Sequence, residues 1–393
     1  MLKTKIVIVI LGIFFSSLAA QDEYGELLNM NKPEREAWFT ELGFGMFIHW
    51  SYDVVMGSVI SHSMVGASDD YLARYINELP QRFNPQKFDP RKWARLAKDA
   101  GMKYMVFTTK HHNGFCMYNT ETTDYNIMNT PFGQDATKAF VEACREEGLA
   151  VGFYFSPEDF YYLYKKGKLV SRKREESQLT SNPDLIEYIK KQMHELMTNY
   201  GTIDIVFLDG GDGFGRNQVS KVCWEENPDV VITRGAMETP EQRKPKEPIP
   251  PPWESCITLG EQWQFRPTNE TYKSCIDVIE TLVDIRAKGG NLLLNLGPDA
   301  DGVIPPLQEG IMNELSLWMF INRDAFDGTV PCSEYRDGDV WLLQSLKRNC
   351  VYAIYLDPEQ KPWRWGTRKD FFLTNYQMNE NSRISVLGHG GEV

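Results

Sequence analysis

Histidine is scarce, with six in 393 residues, and the sequence has no Cys-x-x-Cys pair, no run of Lys and Arg, and no long apolar stretch beyond its first twenty residues. Each absence excludes something. Seven scattered cysteines (Cys116, Cys144, Cys223, Cys256, Cys275, Cys332 and Cys350) form neither a zinc pattern nor a disulfide framework. Most read as buried apolar thiols, and an oxidising compartment leaves one or two bridges open. A formal net charge of −12 with no basic run to offset it excludes a general nucleic-acid binder. A single apolar stretch excludes a polytopic membrane protein. With 42% hydrophobic and 24% charged residues the chain is not disordered. Its length suits one large domain with a smaller one, and a core of that size needs no disulfide staples.

What is present starts with a leader. Residues 1–20 place Lys3 and Lys5 before the apolar run Ile6–Phe15, and small residues lead to Ala20 and the polar Gln21-Asp22. That is a secretory signal-peptide pattern, too short in its apolar part to be read as a membrane anchor. Cleavage after Ala20 would remove Lys3 and Lys5 and no acid, deepening the negative charge. The mature protein is then expected to be exported, periplasmic or secreted, with no membrane attachment.

From residue 44 onward, apolar strands alternate with amphipathic helices. Strands are expected at Phe44–His49, Lys103–Thr108, Ala150–Phe155, Ile203–Leu208, Val230–Thr233 and Asn291–Leu296. Helices are expected at Arg91–Ala100, Asp135–Glu147 (Asp135 as cap, Gly148 as stop), 183–200 after Asn182-Pro183, and Tyr272–Lys288. Continuous apolar strands between helices mean a parallel sheet covered by helices, and the length of the series suits an α/β fold of the (β/α)8-like barrel type. The pattern is patchy around 210–270, so one or two barrel helices are expected to be missing. After residue 327, short runs at Val340–Leu346, Cys350–Leu356, Asp370–Leu373 and Ser382–Leu387 read as a small antiparallel β domain that the chain leaves incomplete. The expected division is therefore a leader over 1–20, a catalytic barrel over 21–327 and a β domain over 328–393.

In such a barrel, chemistry sits just after the C-terminal strand ends. Those positions hold His49-Trp50, then Lys110-His111-His112-Asn113, then Ser156, Glu158 and Asp159 behind Tyr154, then Asp209-Gly210-Gly211, then Arg234. Trp253-Glu254 and Glu261-Gln262-Trp263 follow. Half of the histidines fall here. Aromatic faces cover the apolar side of a sugar ring, while His, Arg and carboxylates bind its hydroxyls. Two carboxylates flanking a glycosidic bond can serve as nucleophile and acid/base. Asp209 is the nucleophile candidate, because it leaves an apolar strand directly; the glycines behind it are read as room for substrate. Taken singly, each residue has a plainer role, an Asp after a strand being often a cap or turn residue.

The strings Phe44-Gly45-Met46-Phe47-Ile48-His49-Trp50 and Thr109-Lys110-His111-His112-Asn113-Gly114-Phe115 closely resemble the α-L-fucosidases of glycoside hydrolase family 29. So do Phe83-Asn84-Pro85, Ala97-Lys98-Asp99-Ala100-Gly101, Asn199-Tyr200-Gly201, Leu208-Asp209-Gly210, Trp253-Glu254 and Gly289-Gly290-Asn291-Leu292-Leu293-Leu294-Asn295. The resemblance implies a retaining exo-glycosidase on a (β/α) barrel with a C-terminal β-sandwich, acting on an oligosaccharide or polysaccharide without metal or cofactor. It implies that Asp209 is the nucleophile and Glu254 the acid/base, with Glu238, Glu241 and Glu261 as nearby competitors. His49, His111, His112, Tyr154 and Arg234 match sugar-binding positions, and Phe207 and Trp263 match aromatic ones.

One segment departs from the family. A Glu-Trp pair usual after the first strand is absent, and the region reads Gly57-Ser58-Val59-Ile60-Ser61-His62-Ser63-Met64-Val65-Gly66. His62 and Ser61 are the candidate replacements, with a purely structural loop as the alternative, and His62 with Trp50 completes the substrate-binding set. The departure leaves α-L-galactose open beside α-L-fucose, its 6-deoxy analogue. Two further classes stay open. A metal-dependent hydrolase would use His49, His111, His112 and Asp209 as ligands, although its usual His-x-His pair is lacking. A non-catalytic sugar-binding protein would need only the aromatic pocket.

Overall fold

The computed structural model describes residues 28–57, 61–211, 213–357, 373–374 and 380–390. The leader pattern of residues 1–20 lies outside them. Helix α1 (Pro33–Leu42) leads into β1 (Phe44–Ile48), and α2 (Asp69–Asn77) and α3 (Pro90–Asp99) precede β2 (Tyr104–Lys110). The series continues with α4 (Ala136–Glu147), β3 (Ala150–Phe155), α5 (Phe160–Lys165), α6 (Pro183–Asn199), β4 (Ile205–Leu208), α7 (Gly213–Glu226) and β5 (Val231–Ile232). Then come β6 (Glu254–Thr258), α8 (Cys275–Ala287), β7 (Asn291–Leu296) and α9 (Pro306–Asn322).

The seven strands form one parallel sheet in the order β5-β4-β3-β2-β1-β7-β6. This is a (β/α)8-like barrel with its seam between β5 and β6, where the expected missing helix falls. A segment without regular structure fills the seam. Glu254 N–H donates to the Glu238 carbonyl (3.1 Å), Cys256 N–H to Pro240 (3.1 Å) and Gln242 N–H to Cys256 (2.9 Å). Residues 238–242 thus run parallel to β6 as a stave of the barrel.

Local chemistry places the helices. The Asp135 carboxylate accepts from Lys138 N–H at the start of α4, and Gly148 closes it in the left-handed region. Asn182 caps α6, whose Leu185, Ile189, Met193 and Leu196 are buried. Ser274 and Asp277 form a reciprocal capping box at α8. Strand β6 is the one barrel strand the alternation pattern missed.

Inside the barrel, Phe39 of α1 packs edge-on to Tyr104 at 5.6 Å, closing the N-terminal end. Above them Phe47, Val106, Ile205, Phe207, Val231, Cys256 and Leu293 fill the interior. Following the barrel, β8 (Val330–Asp337), β9 (Val340–Ser345) and β10 (Cys350–Tyr355) make an antiparallel sheet in the order β10-β9-β8. Strand β8 replaces none of the expected runs. Residues 382–387, read as a strand, have no regular structure, and most of the run 370–373 lies outside the described residues. All seven cysteines are free thiols; six are buried and Cys350 is exposed. Among the described residues, no helix is long and apolar enough to cross a membrane.

Candidate active site

The C-terminal ends of β1 to β5 converge on Asp209. Its Oδ2 accepts from the Tyr154 hydroxyl at 2.7 Å and lies 3.6 Å from His112 Nε2. Its Oδ1 accepts from Arg234 Nη1 at 2.8 Å. Burial would raise this carboxyl, but Arg234, His112 and the Tyr154 hydroxyl outweigh it and hold Asp209 well below the usual carboxylate range. Asp209 is therefore an ionised, oriented carboxylate with part of its surface open.

Gly210 follows at φ +78°, a backbone state that an L side chain adopts only with strain. A Cβ there would also stand 3.0 Å from His112 Cε1 and from Glu158 Cδ. The space beside this glycine is thus taken by His112 and Glu158, not by substrate as the sequence suggested. Gly114, ending the Lys-His-His-Asn-Gly string, is explained in the same way: φ is +84° and a Cβ would meet Asp159 Oδ1 at 2.2 Å. Asp159 is committed there because it pairs with fully buried Lys110 (3.1 Å) and caps α5 through Tyr162 N–H (2.8 Å). The motif locks a loop so that both histidines face the pocket.

The histidines are neutral. Burial lowers His49 to about 4 and His112 to about 3, and it holds His111 well below the ordinary imidazole value. Each Nδ1 is held from behind: His49 by Asn295 Oδ1 (2.6 Å), His111 by Ser61 Oγ (2.9 Å), His112 by Ser156 Oγ (2.5 Å). The Asn295 amide nitrogen donates to the Trp263 carbonyl (2.7 Å), which fixes its oxygen toward His49. His49 Nδ1 must then be the donor, leaving Nε2 as an acceptor for a hydroxyl. His111 stacks on Tyr154 (5.3 Å, 6° between planes), and Trp263 covers His49 at 4.9 Å. Phe207 lies beneath, 5.2 Å from Phe47 and 5.7 Å from Tyr154, with the Arg234 guanidinium 4.8 Å above its ring. Exposed His62 stacks on His112 (5.6 Å, 20°), so the departing segment does present its imidazole at the pocket. Ser61 beside it, at φ +55°, accepts from Asn113 N–H (3.1 Å), and its own N–H donates to buried Asp53 (3.2 Å).

Two expected residues are elsewhere. Trp50 is fully buried outside the barrel, stacked on Phe88 at 5.1 Å, with its indole N–H donating to the Asp299 carbonyl (2.8 Å). It is a packing residue. Glu254 is the first residue of β6, at the N-terminal end of the strand, and is completely buried. Its Oε2 accepts from Tyr104, the first residue of β2, at 2.5 Å. The Phe47–Phe207 layer and Cys256 separate it from the pocket, so no glycosidic oxygen can reach it.

Burial raises Glu254 to about 7. Between the ordinary glutamate value and that one, the folded chain holds a proton that the unfolded chain has lost. This term therefore weakens the fold as pH rises through that window and is constant above it. Glu254→Gln, which keeps an acceptor for Tyr104, should remove the dependence. Denaturant unfolding near pH 5 and near pH 8 should show the variant gaining on the wild type at the higher pH, by about 1.4 kcal/mol for each unit of the window crossed. A constant difference would contradict a buried neutral acid.

A different carboxylate meets the site. Glu241, on the stave beside β6, places Oε2 2.9 Å from Arg234 Nη1, the nitrogen that also holds Asp209. Register explains why Glu241 arrives and Glu254 does not: Trp253, the residue before Glu254, is level with Glu238, while Glu241 is level with Cys256 further up. Thr239 keeps Arg234 in place through its hydroxyl (3.2 Å to Nε) and carbonyl (3.3 Å to Nη2). Glu158, one of the strand-end positions read from the sequence, joins His112 Nδ1 (3.3 Å) to Arg172 (2.9 Å); Asn295 was not among the expected site residues. An asparagine inside the apolar Asn291–Leu296 run was the available signal. His111, His112 and Asp209 each offer a ligand atom within 4.8 Å of the others and could in principle hold a metal ion. Both Asp209 oxygens, however, already accept from Arg234 and Tyr154, and a guanidinium beside them disfavours a second cation.

A family profile described as alpha-L-fucosidase matches residues 15–324. The human plasma alpha-L-fucosidase is 26% identical over 92% of this chain and 83% of its own length, and an alpha-L-fucosidase of Branchiostoma floridae is 28% identical over 90% and 84%. Among solved structures, alpha-L-fucosidase isoenzyme 1 from Paenibacillus thiaminolyticus is 34% identical, with a TM-score of 0.70 over 79% of this chain and 81% of that one. A GH29 alpha-L-fucosidase from Bacteroides thetaiotaomicron, solved as a trapped covalent intermediate with 2-fluoro-fucosyl fluoride, is 25% identical with a TM-score of 0.71, covering 84% of each chain.

Proposed function

The chain belongs to the α-L-fucosidase family, and from that premise and the geometry around Asp209 we propose that it removes terminal α-L-fucosyl units from glycans by double displacement, with Asp209 as nucleophile and Glu241 as acid/base. The observation that carries the pairing is the shared Arg234 nitrogen, 2.8 Å from Asp209 Oδ1 and 2.9 Å from Glu241 Oε2. Two oxygens that close to one nitrogen are no further apart than the two distances laid end to end. That fits the separation of about 5–5.5 Å used by retaining glycosidases rather than the wider gap of inverting ones.

The steps follow from the residues. The Asp209 carboxylate forms a bond to the anomeric carbon as the bond from that carbon to the glycosidic oxygen breaks, and Glu241 gives its proton to the departing oxygen. Glu241 then takes a proton from water, which attacks the same carbon and frees Asp209. Charge on Asp209 falls as the first bond forms, and the Tyr154 hydroxyl and Arg234 hold the oxygens in line throughout. The acceptor Nε2 of His49, with His111, His112 and His62, orients the sugar hydroxyls, and Trp263 covers a ring face.

An ionised nucleophile and a second carboxylate favour an enzyme over a sugar-binding protein. The family match favours fucose over galactose. Hydrolysis of 4-nitrophenyl α-L-fucoside should exceed that of the α-L-galactoside by about tenfold or more in kcat/KM, the scale on which a pocket without a partner for an added hydroxyl discriminates. A faster galactoside would overturn the fucose assignment. The leader pattern of residues 1–20 supports export of the enzyme to meet such glycans.

A further inference from the structure

Ser61 lies on the segment that departs from the family's Glu-Trp pattern, and it is fully buried. Several bonds fix its place. Its N–H donates to Asp53 Oδ2 at 3.2 Å, and its backbone takes φ +55° to bring the hydroxyl to the Lys-His-His-Asn string. Asp53 is enclosed and shared. Its Oδ2 also accepts from the Tyr75 hydroxyl of α2 (2.7 Å), and its Oδ1 accepts from Gln264 Nε2 (3.0 Å), next to Trp263. One carboxylate thus holds the Ser61 turn, α2 and the loop that carries Trp263.

The Ser61 hydroxyl meets two groups, the Asn113 N–H at 3.1 Å and His111 Nδ1 at 2.9 Å. The amide can only donate, so Ser61 Oγ accepts from it. The hydroxyl hydrogen then needs an acceptor of its own, and among the described residues His111 Nδ1 is the one it has. Were Nδ1 to donate instead, that hydrogen would be buried without a partner, which folded proteins seldom keep. Ser61 therefore donates to Nδ1. The neutral imidazole has one hydrogen to place, and it goes on Nε2, the nitrogen left for the pocket. His49 is set the other way, with Nδ1 donating to Asn295 and Nε2 free to accept. Ser156 does not decide His112 by the same logic. Its hydroxyl also has the Glu158 carbonyl at 3.4 Å, and His112 Nδ1 also has the Glu158 carboxylate at 3.3 Å.

We propose that Ser61 is a positioning residue that fixes His111 as a hydrogen-bond donor to the sugar, so that the pocket reads two hydroxyl groups with opposite polarity. The hydroxyl at His49 is bound as a donor and the hydroxyl at His111 as an acceptor. The two imidazoles stand edge to face with centroids 6.1 Å apart, close enough to act on one sugar ring. The inference rests on the reading of this pocket as the fucosyl site. It also gives the departing segment two tasks: His62 presents its imidazole at the pocket, and Ser61 sets the polarity of His111 from behind.

With six histidines in the chain, nitrogen-15 NMR of enzyme labelled only at histidine reads the two rings directly. The wild type should carry the His111 hydrogen on Nε2 and the His49 hydrogen on Nδ1, each signal assigned by its loss on His→Gln replacement. A His111 with its hydrogen on Nδ1 would overturn the proposal, and this reading needs no change at Ser61. Ser61→Gly then removes the hydroxyl, keeps the N–H that binds Asp53 and suits φ +55°. It should lower kcat/KM on 4-nitrophenyl α-L-fucoside by about tenfold. The same variant is measured on the fucosides that lack the 2-, 3- or 4-hydroxyl. Its loss should shrink to within about twofold on the analogue missing the hydroxyl that His111 binds, and persist on the other two. An equal loss on the parent and all three analogues, which a merely structural serine would give, would overturn the proposal, as would no loss on the parent. Wild-type enzyme that shows both ring forms as stated but neither binds nor hydrolyses the fucoside would instead defeat the assignment of the pocket.

Discussion

Asp209→Gly is expected to reduce kcat on fucosides by about 10⁴-fold or more, because no other group stands where the bond to the anomeric carbon must form. The Tyr154 hydroxyl and Arg234 both converge on this carboxylate, and neither can replace it as a nucleophile. The fold should survive. Arg234 keeps Glu241 and Thr239 as partners, and the site of the lost carboxylate opens to the pocket. The sugar-binding histidines are anchored through Asn295, Ser61 and Ser156, not through Asp209. Calorimetric titration of the variant with fucose should therefore still detect binding. Retained turnover would remove Asp209 from the mechanism; loss of both turnover and binding would point to a structural role.

Glu241→Gly is expected to have the second largest effect, and an uneven one. General acid catalysis matters most where the leaving group is poor. The variant should therefore lose about 10²–10⁴-fold on fucosylated sugars and far less on α-L-fucosyl fluoride or the 4-nitrophenyl fucoside, whose leaving groups depart without a proton. Glu254→Gln should stay near wild-type activity on all of them, because Glu254 is buried against Tyr104 beneath the Phe47–Phe207 layer. The opposite ranking of the two variants would restore Glu254 as the acid.

The contrast between these glutamates shows what the sequence could convey. Strands β1 to β5 were legible because their apolar runs are continuous, and the polar residues at their C-terminal ends gave Asp209, His49, His111, His112, Tyr154 and Arg234 together. That logic needs strands whose ends can be recognised. Around β6 it failed, since Glu254–Thr258 mixes polar with apolar residues and no helix links it to β5. Without that strand, Glu254 had no assigned level in the barrel, and its place at the bottom became visible only through its pairing with Asn291. Glu241 stayed one competitor among three for the matching reason: it lies on an irregular stave whose register depends on three backbone hydrogen bonds to and from β6. Trp50 was misjudged because an aromatic at a strand end can turn outward as easily as inward, and its indole found the Asp299 carbonyl. The glycines after Asp209 were recognised, but positive φ at both, with His112 and Glu158 close to Gly210 and Pro157 and Leu179 close to Gly211, explains them better than space for substrate.

The central claim is the division of labour between Asp209 and Glu241, and the stereochemistry of azide rescue tests it most directly. With Glu241→Gly, azide should attack the glycosyl-Asp209 intermediate and give the α-L-fucosyl azide, configuration retained; with Asp209→Gly, azide should attack the substrate itself and give the inverted β-L-fucosyl azide. The same configuration from both variants, or an inverted azide from Glu241→Gly, would contradict the assignment.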